Sequence, residues 1–234
     1  MNGRCILMCA GEFHPMKIEK RPGDFVIAVD GGLRYLRECG IEPDFLLGDF
    51  DSLGEEYAQT VAKYRGMGED HFLQLPVVKD DTDTMAAARL GIRRGYKDFL
   101  IYGAMGGRLD HTLANIQTMT WILRSGGQAS MLDGNTRVTV IGPGVFRIPG
   151  DFEGTVSLFA LDRCLSGVTI RGMKYETENA AVPNDYPVGC SNETLPDSGS
   201  KGAYYSIGEG TGLLVMTENL LNRGQPANKK SSPN

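Results

Sequence analysis

The stretch FLLGDFDSLGEE, residues 45–56, sets the reading of the whole chain. A fully apolar run ends in two acids one residue apart, Asp49 and Asp51, with Ser52 next. A run without polar alternation suits a strand covered on both faces, as in a parallel sheet packed between helices. Asp49 then stands at the carboxyl end of a strand and Asp51 in the turn after it. Like charges held that close repel by about a few kcal/mol per pair at an intermediate dielectric, so something must offset them.

The same texture recurs to either side. CILMCA (5–10), FVIAVD (25–30), DFLLGD (44–49), FLQLP (72–76), FLIYGA (99–104) and ASMLD (129–133) alternate with helical patterns over 31–39, 53–65, 82–94 and 111–125. Each helical pattern stops at or near a glycine, Gly40, Gly66, Gly95 or Gly126, the residue that most easily takes the left-handed end of a helix. Such alternation predicts an α/β layer with a mostly parallel sheet. After Gly134 the segments RVTVIG, GVFRIP, TVSLFAL, GVTIRGMKY, AYYSIG and GLLVMTE are short, β-branched and separated by turn residues. They predict an all-β sandwich or partial barrel. The expected organisation is an α/β unit over 1–134, a β-sandwich over 136–222 and a frayed tail over 223–234. GEGTG (208–212) reads as a hairpin turn.

Bulk properties narrow the function. The chain has 234 residues, 41% of them apolar, and a net charge of −5. Without a basic stripe, nucleic acid is not an expected partner. No apolar run reaches the roughly 18–20 residues that span a bilayer, and the N-terminus has no long signal core, so a soluble cytoplasmic protein is expected. Cys5, Cys9, Cys39, Cys164 and Cys190 are odd in number and form no CxxC pair, which reads as buried reduced thiols.

Other strand ends are acidic too. DGG puts Asp30 before Gly31 and Gly32; VVKDDTDT carries Asp80, Asp81 and Asp83; GAMGGRLDHTLAN carries Gly106, Gly107, Arg108 and Asp110. In an open α/β sheet the carboxyl ends share one edge, where ligands bind. Helix capping accounts for any one of these acids: Ser52 to Glu55 has capping-box spacing, Asp110 could cap the helix from His111, and Asp81 or Thr82 the one before it. It does not account for Asp49 with Asp51, or for three acids in KDDTD. Oxygen ligands with no Cys or His suit Mg²⁺ working on a substrate phosphate. Lys79 and Arg108 inside the acidic motifs, and backbone N–H groups at Gly106 and Gly107, suit phosphate; charge balance is the other explanation for the two cations. No GxxxxGK[ST] loop occurs.

DGG (30–32), GDFDS (48–52), KDDTD (79–83) and GGRLDHTLAN (106–115), followed by GMKYETENAAVP (172–183) and GCSN (189–192), together resemble the thiamine pyrophosphokinase family. The resemblance implies transfer of pyrophosphate from ATP to thiamine with Mg²⁺, in a homodimer with active sites between subunits. It implies that Asp49, Asp51 and Asp83 are the metal and phosphate acids, and that Arg108 joins them in catalysis. It places Asp30, Gly31, Ser52, Lys79, Thr82, Arg108 and Asp110 with ATP, and Asp81, Asp83, Ser191 and Asn192 with thiamine. Some members carry an aromatic just past the Ser-Asn pair; here Glu193 and Thr194 follow, Trp121 reads as core, and Tyr204 or Tyr205 could serve. Residues 192–202 read as a longer loop. The rivals are a Mg²⁺-dependent phosphatase with Asp49 as nucleophile, from DFDS, and a nucleotide- or metal-sensing protein without turnover.

Overall fold

The structure, a computed structural model, describes residues 3–50, 53–76, 80–196 and 201–219. Its first part runs β1 (Cys5–Met8), β2 (Phe25–Val29), α1 (Leu33–Glu38), β3 (Phe45–Gly48), α2 (Ala58–Gly66), β4 (Phe72–Gln74), α3 (Asp83–Arg93), β5 (Asp98–Tyr102), α4 (Leu109–Arg124) and β6 (Gln128–Asp133). Then follow β7 (Thr136–Ile141), β8 (Gly144–Arg147), β9 (Gly154–Ala160), β10 (Cys164–Arg171), β11 (Thr177–Pro183), β12 (Asn192–Glu193), β13 (Tyr204–Ile207) and β14 (Gly212–Glu218).

The apolar runs are strands because both their faces are covered. Along β1, Cys5 and Leu7 join one buried cluster while Ile6 and Met8 join another. The first cluster is closed by Ala87 and Ala88 of α3 and Met119 and Ile122 of α4. The second is closed by Leu33 and Leu36 of α1 and Tyr64 of α2. Alternate side chains therefore feed two cores, and no position along β1 or β2 is left for a polar residue. Truncating one of these side chains, Phe45 for example, costs about 3–5 kcal/mol.

β1 lies between β2 and β5, and the order β6-β5-β1-β2-β3-β4 is parallel throughout. The chain thus grows one way from β1 to β4 and then returns to the other side of β1, which opens a crevice at the carboxyl ends beside β1. The sheet does not stop there. β6 turns at Gly134 and Asn135 into antiparallel β7, and the ten-stranded sheet continues β7-β14-β9-β12. A second sheet, β11-β10-β13-β8, packs on this end around Val156, Leu158, Val168, Tyr205 and Leu214. The fold is an α/β layer with a mostly parallel sheet plus an all-β sandwich, and one strand layer runs through both.

Several local expectations need correction. GEGTG is no hairpin: β13 and β14 belong to different sheets, so the segment carries the chain across the sandwich. The second helix begins later than residue 53, because Gly54 is extended (ψ 163°) and residues Glu55–Tyr57 form a 3-10 turn first. The capping position of α2 is Tyr57, without a side-chain cap. Asp110 lies inside the first turn of α4, whose capping position is Arg108. Cys164 and Cys190 are exposed, unlike Cys5 and Cys9. Among the described residues no helix is long and apolar enough to cross a membrane.

Candidate active site

A cleft of about 450 Å³ opens where the chain reverses direction. It is lined from the strap after β1 (Cys9–Glu12), the end of β2 (Val29, Asp30), the start of α3 (Thr82–Thr84), the loop after β5 (Gly103, Ala104, Gly106–Arg108) and α4 (His111, Asn115). Each contribution follows from an apolar strand ending at the same edge.

Asp30 lines the cleft with a left-handed backbone, φ +49°, a conformation costly for most side chains and tolerated by Asp. It closes a tight 3-10 turn, Asp30–Gly32, under α1. Its Oδ1 accepts the N–H of Phe50 at 3.2 Å, which ties the end of β2 to the segment after β3. That approach is possible because residue 48 is glycine: a Cβ there would lie 2.8 Å from the Asp30 Cα. Burial pushes the Asp30 carboxyl above the usual carboxylate range, against the N–H of Gly31 and Phe50, and the negative charges of Asp49 and Asp83 push it further. Acids from three separate segments therefore act on one another.

Thr82 caps α3, its Oγ1 accepting the N–H of Met85 at 3.2 Å, and delivers Asp83 as the first helical residue. Asp81 does not line the cleft; it pairs with Arg89 at 2.7 Å. Arg108 reaches into the mouth and forks onto Asp110, Nη2 to Oδ2 at 2.6 Å and Nε to Oδ1 at 3.2 Å, with both side chains exposed. Each partner strengthens the other's charge, raising the arginine and lowering the aspartate. Asp51, Ser52 and Lys79 lie outside the described residues.

Four residues not singled out from the sequence shape the cleft. Asn115, buried on α4, donates to the Ala104 carbonyl at 2.8 Å and fixes the glycine loop. Tyr35 donates to the Gly11 carbonyl at 2.8 Å. Thr84 meets the buried Cys9 thiol at 3.4 Å. Glu12 pairs with Met105 in an isolated bridge, and its Oε2 lies 2.4 Å from where a Cβ on Gly106 (φ +80°) would stand. The left-handed backbone at Gly106 favours glycine, and a side chain there would push the Glu12 carboxylate aside. The segment GEF after β1 lies on the same carboxyl edge as the acidic motifs, and that rule could have found Glu12.

The donor set suits a hard divalent cation: carboxylate oxygens, with Asp30 raised first by burial and further by the neighbouring charges of Asp49 and Asp83. Among the described residues no three His, Cys, Asp or Glu stand close enough to hold an ion by themselves.

Ser191 and Asn192 are elsewhere. Asn192 is buried in β12, at the far end of the ten-stranded sheet. Its Oδ1 accepts the Tyr175 N–H at 3.0 Å and its Nδ2 donates to the Tyr175 carbonyl at 2.8 Å. Ser191 is exposed, with φ +57° and its N–H on Ser157 Oγ at 2.8 Å. Tyr205 is 1% exposed in the sandwich core and has no face for a ligand; Tyr204 is half-buried. Trp121 packs on the core beside α3, with Arg89 over its ring.

The family model for the thiamin pyrophosphokinase catalytic domain matches residues 19–130, a range that holds Asp30, Asp49, Asp83 and Arg108. Thiamine pyrophosphokinase of Bacillus subtilis (strain 168) is 27% identical over 191 residues, 81% of this chain and 85% of that protein. The crystal structure of thiamine pyrophosphokinase from Bacillus subtilis superposes with a TM-score of 0.81 at 23% identity, covering 94% of this chain and 100% of that one, a likeness of fold. A thiamin pyrophosphokinase family protein from Enterococcus faecalis gives 0.75 at 26% identity, covering 92% and 99%.

Proposed function

We propose that this chain is a member of the thiamine pyrophosphokinase family, whose catalytic-domain model it matches over residues 19–130, and that it moves the pyrophosphoryl group of ATP onto the hydroxyethyl oxygen of thiamine, leaving thiamine diphosphate and AMP, with Mg²⁺ as cofactor. The observation that carries the reading is that Asp30 and Asp83 line one crevice beside Gly106, Gly107 and Arg108, with Asp49 near enough to add its negative charge at Asp30. Asp49, Asp51 and Asp83 would hold Mg²⁺, which supplies charge neutralisation to the transferring phosphates. Asp30, Gly31, Ser52, Lys79 and Thr82 would be the residues that take the nucleotide phosphates. Arg108 and Asp110 form an exposed pair, worth little in water, so the guanidinium can turn to ATP at small cost. Asp83 would stand on the thiamine side, whereas Asp81, expected there too, is paired with Arg89 outside the cleft.

The hydroxyethyl oxygen of thiamine attacks the β-phosphorus, the bond from that phosphorus to the AMP oxygen breaks, and the hydroxyl proton passes to a carboxylate of the cleft. The chain's work is positioning and electrostatic stabilisation. Thiamine carries a positive thiazolium ring, and a field of acids draws it in.

Ser191 and Asn192 complete the site from a second chain. β12 is six strand spacings from β1, about 30 Å at the usual separation of neighbouring strands. A small substrate cannot touch both within one chain, whereas a two-fold dimer lets each β-sandwich face the other subunit's crevice. An ATP-fed reaction also agrees with the cytoplasmic setting expected from the sequence.

The test is incubation with ATP, Mg²⁺ and thiamine and mass spectrometry of the products. Thiamine diphosphate and AMP in equal amounts, only with all three present, is the expected result. Inorganic phosphate with a phosphorylated Asp49 would establish the phosphatase instead, and binding without products would establish a sensing protein.

A further inference from the structure

One acceptor deep in the cleft is left without a donor. Asn115 lines the cleft from α4 and is only 5% exposed. Its Nδ2 donates to the Ala104 carbonyl at 2.8 Å. A carbonyl oxygen can only accept, so this bond fixes which end of the amide is nitrogen and turns Oδ1 away from Ala104. Among the described residues no donor meets that oxygen. It is not sealed inside the protein either, so it opens into the cleft. A buried acceptor in that position is completed from outside the chain. The Thr84 hydroxyl, also buried at this floor, already meets the Cys9 thiol at 3.4 Å.

A phosphate oxygen cannot complete Oδ1, because it would set one acceptor against another. Position along α4 points to the other end of a nucleotide. Arg108, His111 and Asn115 follow at spacings of three and four residues and all line the cleft, so they share one face of the helix. Seven residues of helix rise about 10 Å, which separates the guanidinium at the mouth from the amide at the floor. Phosphates held at Arg108 therefore leave the base to reach Asn115. The floor there suits a flat ring, since Ala10, Gly11, Gly103 and Ala104 carry nothing larger than a methyl group. At Gly103 (φ +60°) a Cβ would lie 2.4 Å from the Cys9 carbonyl oxygen, so that wall stays thin.

We infer that Asn115 selects the base of the phosphate donor, its Oδ1 accepting from the exocyclic amine of adenine; this rests on the function proposed above and adds to it a reason for ATP over other nucleotides. Adenine presents an N–H₂ group where hypoxanthine presents an oxygen. With the latter, two acceptors face each other in a buried place, and a site built to accept a hydrogen bond rejects the analogue that cannot give it.

Thiamine diphosphate formation with the nucleotide varied tests this. ITP carries an oxygen in place of the amine, and purine riboside triphosphate carries a hydrogen. Wild type is expected to show a kcat/KM about ten- to hundredfold lower with either of these than with ATP, the scale of one buried acceptor left unpaired. Asn115→Ala is expected to bring the three nucleotides within about threefold of one another. If Asn115 only holds the glycine loop, the variant is slower with all three alike and their ratios stay as in wild type, which overturns the inference. Equal use of ATP and purine riboside triphosphate by wild type also overturns it, and that measurement needs no variant to fold. If wild type makes no thiamine diphosphate with any nucleotide, the proposed function falls, and equilibrium titration with ATP and ITP, each with Mg²⁺, decides Asn115 alone. Tighter binding of ATP than ITP that Asn115→Ala abolishes supports its role; equal binding of the two by wild type, no binding of either, or a preference kept by the variant overturns it.

Discussion

At Asp30 a left-handed backbone, a partly buried carboxyl and two neighbouring acids coincide. A carboxyl raised by burial and like charge is the signature of a site that stabilises something positive. Asp49 supplies part of that field, and its replacement separates chemistry from folding. Asp49→Asn is expected to lower kcat/KM by about a hundredfold or more, while thermal denaturation in EDTA shows a Tm no lower than wild type, because a repulsive charge has gone. Glu12 acts in the other direction. Its carboxylate rests where the glycine loop would meet a phosphate, and Glu12→Gln is expected to lower the ATP KM about three- to fivefold, the scale of one like-charge contact in a wet cleft. An unchanged ATP KM in that variant would put Glu12 outside the nucleotide's reach. Acids such as Asp30 and Asp49 were legible in the sequence because the same motif, an apolar run closed by Asp, repeats. Asn115 and Tyr35 were not, because what they do depends on a carbonyl brought near by the fold.

Among the elements, the strap over residues 10–24 joins β1 to β2 and delivers Glu12, so its anchors matter to the cleft. Asp24 is the anchor at its far end. Its side chain is 1% exposed and accepts from the Arg4 guanidinium, from the Arg4 N–H at 2.8 Å and from the Arg21 N–H at 2.9 Å. Burial pushes this carboxyl up, but the Arg4 guanidinium and the two N–H groups prevail and hold it below its ordinary value. A carboxyl lowered on folding contributes stability above its unfolded pKa of about 3.9, and loses it as pH falls through the folded value. Asp24→Asn is therefore expected to lose about 2–3 kcal/mol at pH 7, with the gap to wild type closing as the pH is taken below the carboxylate range. Chemical denaturation at several pH values measures it; a gap that does not change with pH would remove the charge from the account. The elements themselves were readable where local pattern suffices. Apolar runs and glycine stops located β1–β6 and the helices between them. The strand β11, TENAAVP, is largely polar or alanine and shows itself only by pairing with β10. Likewise nothing within GEGTG reveals that β13 and β14 join different sheets.

For the whole molecule, the decisive feature is that one sheet carries the acids near one end and Asn192 at the other. Strand order is a non-local property, which is why the sequence yields two kinds of texture but not their continuity through β6 and β7. In the proposed two-fold dimer the same continuity would make each subunit a spacer between two half-sites, each completed by the one partner subunit. Mixing two disabled chains tests this most directly. Asp49→Asn removes the acid half, and Ser191→Arg obstructs the β-sandwich half. Each variant alone should be nearly inactive. After unfolding and refolding an equimolar mixture, half of the dimers are mixed and each of those holds one intact site, so the mixture should recover about a quarter of wild-type thiamine diphosphate formation. Recovery no greater than the two variants measured separately would contradict a site shared between chains.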